Sequence, residues 1–172
     1  MLNLGIAGNR LLLDATAGGN PDVYGPATIQ RLEADVLSTT GVTTVILLVG
    51  INDLLMSPNA SAENLVDGYR DVIDRLHSRG VRVLQGTVTP VGGNTAAPPD
   101  TEEKRQAINA WIREESPAEA VIDFDAVVRD PADPSRINPA FDGSDHVHFN
   151  LAGYQAMGNA VPLEQVDDPA CS

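Results

Sequence analysis

The stretch Asp142–Met157, DGSDHVHFNLAGYQAM, sets two histidines among two aspartates and an asparagine in a turn-rich segment that leads into a helical pattern. Asp145 and His148 stand three residues apart. A carboxylate that close can fix one tautomer of an imidazole and stabilise its charged form. The pair is thus the base, with its orienter, of a serine-type triad. Asn150, just behind, is placed to cap the following helix. His146 competes with His148 as the base. His146, His148 and Asp145 also form an alternative set of metal ligands, since imidazole and carboxylate suit zinc. Ligands that alternate so closely point apart in an extended chain, and no further ligand cluster accompanies them, so His148 with Asp145 is the primary reading. His77, beside Arg75 and Arg79 late in a helical pattern, reads as a C-terminal cation on a solvated face.

Two earlier positions could face negative charge. Gly8 follows a short alternating run and by itself reads as a tight turn; the sharper reading is an exposed backbone N–H. Asn52 lies in Gly50-Ile51-Asn52-Asp53, a strand-ending turn in which a lone asparagine commonly bonds its own backbone. Beside Gly8, its amide could donate a second hydrogen bond to developing charge, and one such donor is worth roughly 3 kcal/mol in a transition state. Asp53 is read as structural, holding that turn through backbone bonds.

The elements that must position these residues follow from periodicity. Leu2, Leu4 and Ile6 alternate with polar or small residues and predict a first strand. Residues 14–25 read as loop. A helix is expected from Pro26 to about Ser38, with Ile29, Leu32, Val36 and Leu37 as its apolar stripe. Thr43–Val49, apolar and β-branched, predicts a strand buried in a parallel sheet. Ser61 caps a helix ending at Gly80. Val81–Val88 and Ala120–Phe124 are further strands. Between them lies a helix opened by a capping-box-like Asp100 and Glu103, with Ile108, Trp111 and Ile112 as its buried face. Alternating strands and helices define an α/β sandwich, in which the ligand crevice lies beyond the carboxyl ends of the strands. Gly8, Asn52, Pro90 and Asp145–His148 all fall after strands or in a late loop, so one rim should collect them. Leu54, Leu55 and Met56 fit an acyl pocket or the core equally well.

A chain of 172 residues reads as one domain. The net charge of −13 argues against nucleic acid and anionic lipid surfaces as partners. Lys104 is the single lysine among 11 basic residues. The lone Cys171 admits no intrachain disulfide and no cysteine-built zinc site. The apolar run Val45–Val49 is far too short to span a bilayer, and no signal peptide precedes the first strand pattern.

Taken in order, these pieces resemble the SGNH (GDSL-type) hydrolases, a family of serine esterases, lipases and carbohydrate deacetylases. NLGIAGNRLL looks like the second family block, VGINDL matches the third, G-x-N-D, and DHVHFNLAGYQAM the last, D-x-x-H. The resemblance implies a three-layer α/β/α sandwich around a flavodoxin-like, mostly parallel sheet. It implies hydrolysis of a small ester or acetylated sugar, with Gly8 and Asn52 as the oxyanion hole, His148 as base, Asp145 as its orienter, and no metal or cofactor. The family's first block, G-D-S, carries the nucleophile at the end of the first strand. The seven residues before Gly8 hold no serine, and Ser144 belongs to the same loop as Asp145. The expectation is therefore an N-terminally incomplete domain over 1–172, lacking the first strand and inactive alone. The complete protein would begin upstream, with a secretory signal as one expectation. Pairing of two copies through the exposed sheet edge is the alternative. Two further readings stay open: a non-catalytic carbohydrate-binding or interaction module on the same fold, and a His/Asp metal-dependent hydrolase.

Overall fold

The computed structural model of the protein describes residues 1–14, 24–57 and 59–166. Three parallel strands form its sheet in the order β1 (Thr44–Leu47), β2 (Arg82–Gly86), β3 (Ala120–Ile122). Thr44 lies opposite Arg82, and Leu84 opposite both Ile46 and Ala120. The helices are α1 (Thr28–Leu32), which relaxes into a π-helical turn over Glu33–Leu37, then α2 (Ile51–Met56), α3 (Ala62–His77), α4 (Thr101–Glu114), α5 (Phe124–Val128), α6 (Leu151–Asn159) and α7 (Leu163–Val166).

Side chains of a strand alternate between the two faces of its sheet, and the core divides accordingly. Val83 and Leu47 join the α3 stripe Leu65, Tyr69, Val72, Ile73 and Leu76, together with Ile108, Trp111 and Ile112 of α4. Leu84 and Ile122 join Phe124 and Val128 of α5 and Met157 of α6 on the opposite face. Helices therefore cover both faces, giving the α/β/α layering that the alternating pattern implied. Ser61 caps α3, its side chain accepting the Asn64 N–H at 3.1 Å, and Asn150 caps α6 by accepting the Gly153 N–H at 3.0 Å. Among the described residues no helix is long and apolar enough to cross a membrane.

Four local expectations are corrected. Residues 1–6 are not a strand: among the described residues they pair with no other segment, and Leu2, Leu4 and Ile6 are exposed. Alternation alone cannot make a strand when no neighbour offers its backbone a ladder. The Gly50–Asp53 turn is the start of α2, whose N-cap Gly50 has φ 121°. A Cβ there would lie 2.2 Å from the Tyr69 hydroxyl, which donates to the Val49 carbonyl at 2.6 Å, so only glycine allows the corner. Phe124 leaves β3 to begin α5, because Asp123 accepts the Ala126 N–H at 3.1 Å and caps that helix. Asp100 makes no capping bond and instead pairs with Lys104 at 2.8 Å. Most of the 14–25 loop lies outside the described residues.

The carboxyl end of β2 is fixed by a buried ionic network. Arg105, fully buried in α4, donates to Asp125 Oδ1 at 2.6 Å, to Glu102 at 2.7 and 2.8 Å, and to the Val88 carbonyl at 3.0 Å. Burial disfavours its charge, and the bonds to Glu102 and Asp125 outweigh that, raising its pKa. Asn109 holds the same Val88 by both backbone groups, at 2.7 and 2.8 Å. Replacing Arg105 leaves buried partners unpaired, a loss that costs about 3–5 kcal/mol in comparable pairs. Urea unfolding of Arg105→Met should show a destabilisation of that size; a midpoint equal to the parent's would contradict the role given to the network.

Candidate active site

The loop after Ala140 is built by two aspartates acting in the same way. Asp142 Oδ1 accepts the N–H groups of Ser144 (2.8 Å) and His146 (3.2 Å), and Asp145 Oδ1 accepts those of Val147 (2.9 Å) and His148 (2.8 Å). These side-chain-to-backbone bonds stand in for a ladder and let Ser144 and His146 adopt φ values of 83° and 63°. The Gly143 N–H closes the loop on the His148 carbonyl at 2.8 Å, and Asp142 bridges to Phe149. Asn94, from the glycine- and proline-rich loop after β2, donates to the Asp145 carbonyl at 2.9 Å.

Each aspartate then uses its second oxygen on a histidine. Asp145 Oδ2 lies 2.6 Å from His148 Nδ1, and Asp142 Oδ2 lies 2.6 Å from His146 Nδ1. The two imidazoles thus face separate carboxylates, and among the described residues no three His, Cys, Asp or Glu side chains gather as a metal site. His148 lines an open cleft of about 1060 Å³ with Asn52 and Thr89. With Nδ1 held by Asp145, Nε2 is the ring atom left for the cleft. The backbone N–H of His148, then its ring and the Val147 N–H, hold the Asp145 carboxyl well below the usual aspartate range. For Asp142, the bond to His146 and the N–H groups of Ser144 and His146 outweigh the opposing effect of desolvation and also lower its pKa.

The opposite wall is tied together by asparagine and aspartate. Asn52, in the first turn of α2, donates from Nδ2 to the Asn9 carbonyl at 3.1 Å. Asn9 is itself buried: its amide donates to the carbonyls of Tyr24 (2.7 Å) and Pro26 (2.8 Å), and its oxygen accepts from Thr28 (2.8 Å) and Arg31 (3.1 Å). Gly8, the residue before it, has φ 72°, and a Cβ would meet the Tyr24 ring at 2.1 Å. Asp53, buried, accepts the N–H groups of Leu11 (2.7 Å) and Leu12 (3.0 Å). Burial raises its pKa against the pull of those two N–H groups and of Arg10.

The structure thus brings Asn52 and His148 onto one cleft and places Gly8 one residue from the carbonyl that Asn52 holds. His77 sits apart, 3.3 Å from Glu119. Asn9, Asn94 and the Asp142–His146 pair were not singled out from the sequence. The spacing of four between Asp142 and His146 was readable, whereas nothing local marks Asn94 as a partner of the Asp145 carbonyl.

Fold and rim define an α/β domain with its polar groups gathered at the carboxyl end of a parallel sheet. Residues 1–156 match the family model of the GDSL-like lipase/acylhydrolases, and the chain belongs to that family. Among solved structures it is similar to a GDSL-like lipase from Bacteroides thetaiotaomicron, with a TM-score of 0.69 and 19% identity over 83% of this chain and 70% of that one. It is similar to the aryl esterase of M. smegmatis (TM-score 0.64, 16% identity, 96% and 76% covered) and to an acetyl xylan esterase (0.58, 21%, 91% and 75%). At these identities the likeness speaks for the fold. No curated protein matches the sequence.

The Asp145 environment has a readable consequence. A depressed folded pKa means that the carboxylate stabilises the loop above its unfolded midpoint, near about 3.9, and that this contribution is lost only as pH falls through the lower folded value. In a carbon-detected NMR titration Asp145 should titrate below the ordinary aspartate midpoint, and in His148→Ala move back toward it. A midpoint at or above the ordinary value in the parent protein would contradict the bonding described.

Proposed function

We propose that the chain carries the base, the orienter and the oxyanion hole of a serine ester hydrolase, and that the nucleophilic serine comes from outside these 172 residues. The observation that carries the reading is the 2.6 Å Asp145–His148 bond on a cleft shared with Asn52. The family supports ester or acyl hydrolysis, and the acetyl xylan esterase among its structural neighbours is in keeping with a small acyl ester, acetylated sugars included.

In this mechanism His148 Nε2 takes the serine proton as the oxygen attacks the ester carbonyl. Asp145 keeps the ring in the correct tautomer and stabilises the imidazolium. The negative charge passes to the carbonyl oxygen, where the Gly8 N–H and the Asn52 amide receive it. An amide nitrogen has two hydrogens; the Asn9 carbonyl holds one and fixes the amide plane, which leaves the second for the oxyanion. Collapse expels the alcohol, which takes the proton from His148, and water then releases the acid by the same steps in reverse roles. None of these steps calls for a metal or cofactor.

Two measurements test the proposal together. The 172-residue chain alone should hydrolyse p-nitrophenyl acetate no faster than buffer. A version preceded by an apolar strand ending in Gly-Asp-Ser, joined to residue 1 through a flexible linker of about twenty residues, should turn it over, and His148→Ala should reduce that turnover by about 10³-fold or more. Turnover by the unextended chain that vanishes in His148→Ala, or turnover by the extended chain that His148→Ala leaves intact, would contradict the assignment.

A further inference from the structure

The segment after β2, Thr87–Val91, is buried throughout although it belongs to no strand. A buried loop has to find partners for its polar groups. The Thr87 hydroxyl donates to Asp123 at 3.0 Å and accepts the Asp125 N–H at 2.8 Å. Val88 is held at both backbone groups by Asn109 and again at its carbonyl by Arg105. Thr89 is the exception. Only 7% of it is exposed, yet its hydroxyl has no partner among the described residues. Unlike the Thr101 hydroxyl, which is sealed from solvent, it opens on the cleft that Thr89 lines with Asn52 and His148.

The position is rigid from both sides. Val88, just before it, is clamped by α4 through Arg105 and Asn109. Pro90, just after it, confines Thr89 to extended backbone angles. Beyond Pro90 the Gly92 N–H bonds the Ser135 carbonyl at 2.7 Å, and a Cβ on Gly92 would lie 2.5 Å from that oxygen, so the chain is seated closely there too. A hydroxyl already immobilised loses little further freedom when a ligand takes it.

We propose that Thr89 is a specificity-determining residue, whose hydroxyl bonds a hydroxyl on the alcohol half of the ester substrate. A hydroxyl both donates and accepts, so a second hydroxyl satisfies it in either sense, whereas an alkyl group in that place leaves it desolvated and unpaired. A site of this kind rejects the analogue lacking the polar group far more strongly than an apolar pocket rejects an extra methylene. Gly8 and Asn52 take the oxyanion and His148 the serine proton, so neither charge occupies Thr89. A small acyl group carries no hydroxyl, which leaves the alcohol half, a polyol or a sugar. Calling the ligand an ester rests on the hydrolase reading; the unpaired hydroxyl stands without it.

Glycerol monoacetate and propyl acetate share a skeleton and differ by two hydroxyls. Their binding to the unmodified protein, followed by NMR shifts of the cleft amides, should favour glycerol monoacetate by about tenfold or more in Kd. Thr89→Val, which keeps the shape and removes the hydroxyl, should abolish that preference, and Thr89→Ser should keep it. Equal binding of the two acetates by the parent, binding of neither, a preference that survives in Thr89→Val, or its loss in Thr89→Ser would overturn the contact. In the serine-bearing extended chain the same preference should appear in kcat/KM. A Thr89-dependent binding preference with no turnover by that chain would uphold the contact and sink the hydrolase reading. His148-dependent turnover of both acetates at equal kcat/KM, unaltered in Thr89→Val, would do the reverse.

Discussion

One buried carboxylate ties the amino-terminal wall of the cleft to α2. Asp53 sits in the first turn of α2 and takes the backbone N–H groups of Leu11 and Leu12. Residues 1–6, which lead to that anchor, have no strand partner among the described residues, so their placement depends on side-chain-to-backbone bonds. Asn52 adds a bond to the Asn9 carbonyl, and Asn9 in turn gathers Tyr24, Pro26, Thr28 and Arg31. Removing a buried acceptor that satisfies two N–H groups strands both of them, which costs far more than a surface bond. The position of the Gly8–Asn9 peptide opposite the histidine loop is therefore set by α2 and not by the sheet.

The histidine loop is built on the opposite principle. It contributes little to either apolar core cluster and is shaped almost wholly by its own polar atoms. Asp142 and Asp145 each spend one oxygen on the backbone and one on an imidazole, which makes ring orientation and loop conformation a single event. His148 remains largely exposed, its side chain at 71%.

Much of this was legible in the chain itself. The helical stripe of α3, its Ser61 cap and the Asn150 cap are local features, and local rules suffice for them. The strand cores of β1, β2 and β3 follow from β-branched apolar runs. Asp145 and His148 were legible because their spacing of three lets one loop satisfy both. What was hidden depends on distant partners. Leu2–Ile6 has a strand's alternation but no ladder to join. Asp53 reads as a turn residue because its true partners, Leu11 and Leu12, lie some forty residues earlier. Gly50 begins a helix because Tyr69, from a different helix, leaves no space for a side chain. Asn94 reads as an ordinary turn residue, its oxygen accepting the Ala96 N–H at 2.9 Å, and nothing local tells that its nitrogen holds a carbonyl fifty-one residues away.

The central proposal is convergence: the His148 imidazole, the Asn52 amide and the Gly8 N–H are to receive one substrate at the rim. The most direct measurement is a crystal structure of the serine-bearing extended chain after reaction with a p-nitrophenyl alkylphosphonate. The account predicts a phosphonyl group on that serine, its anionic oxygen within hydrogen-bond distance of both Gly8 N and Asn52 Nδ2, and His148 Nε2 beside the serine oxygen. An adduct whose oxygen points away from Gly8 and Asn52, or that forms on another residue, would contradict it.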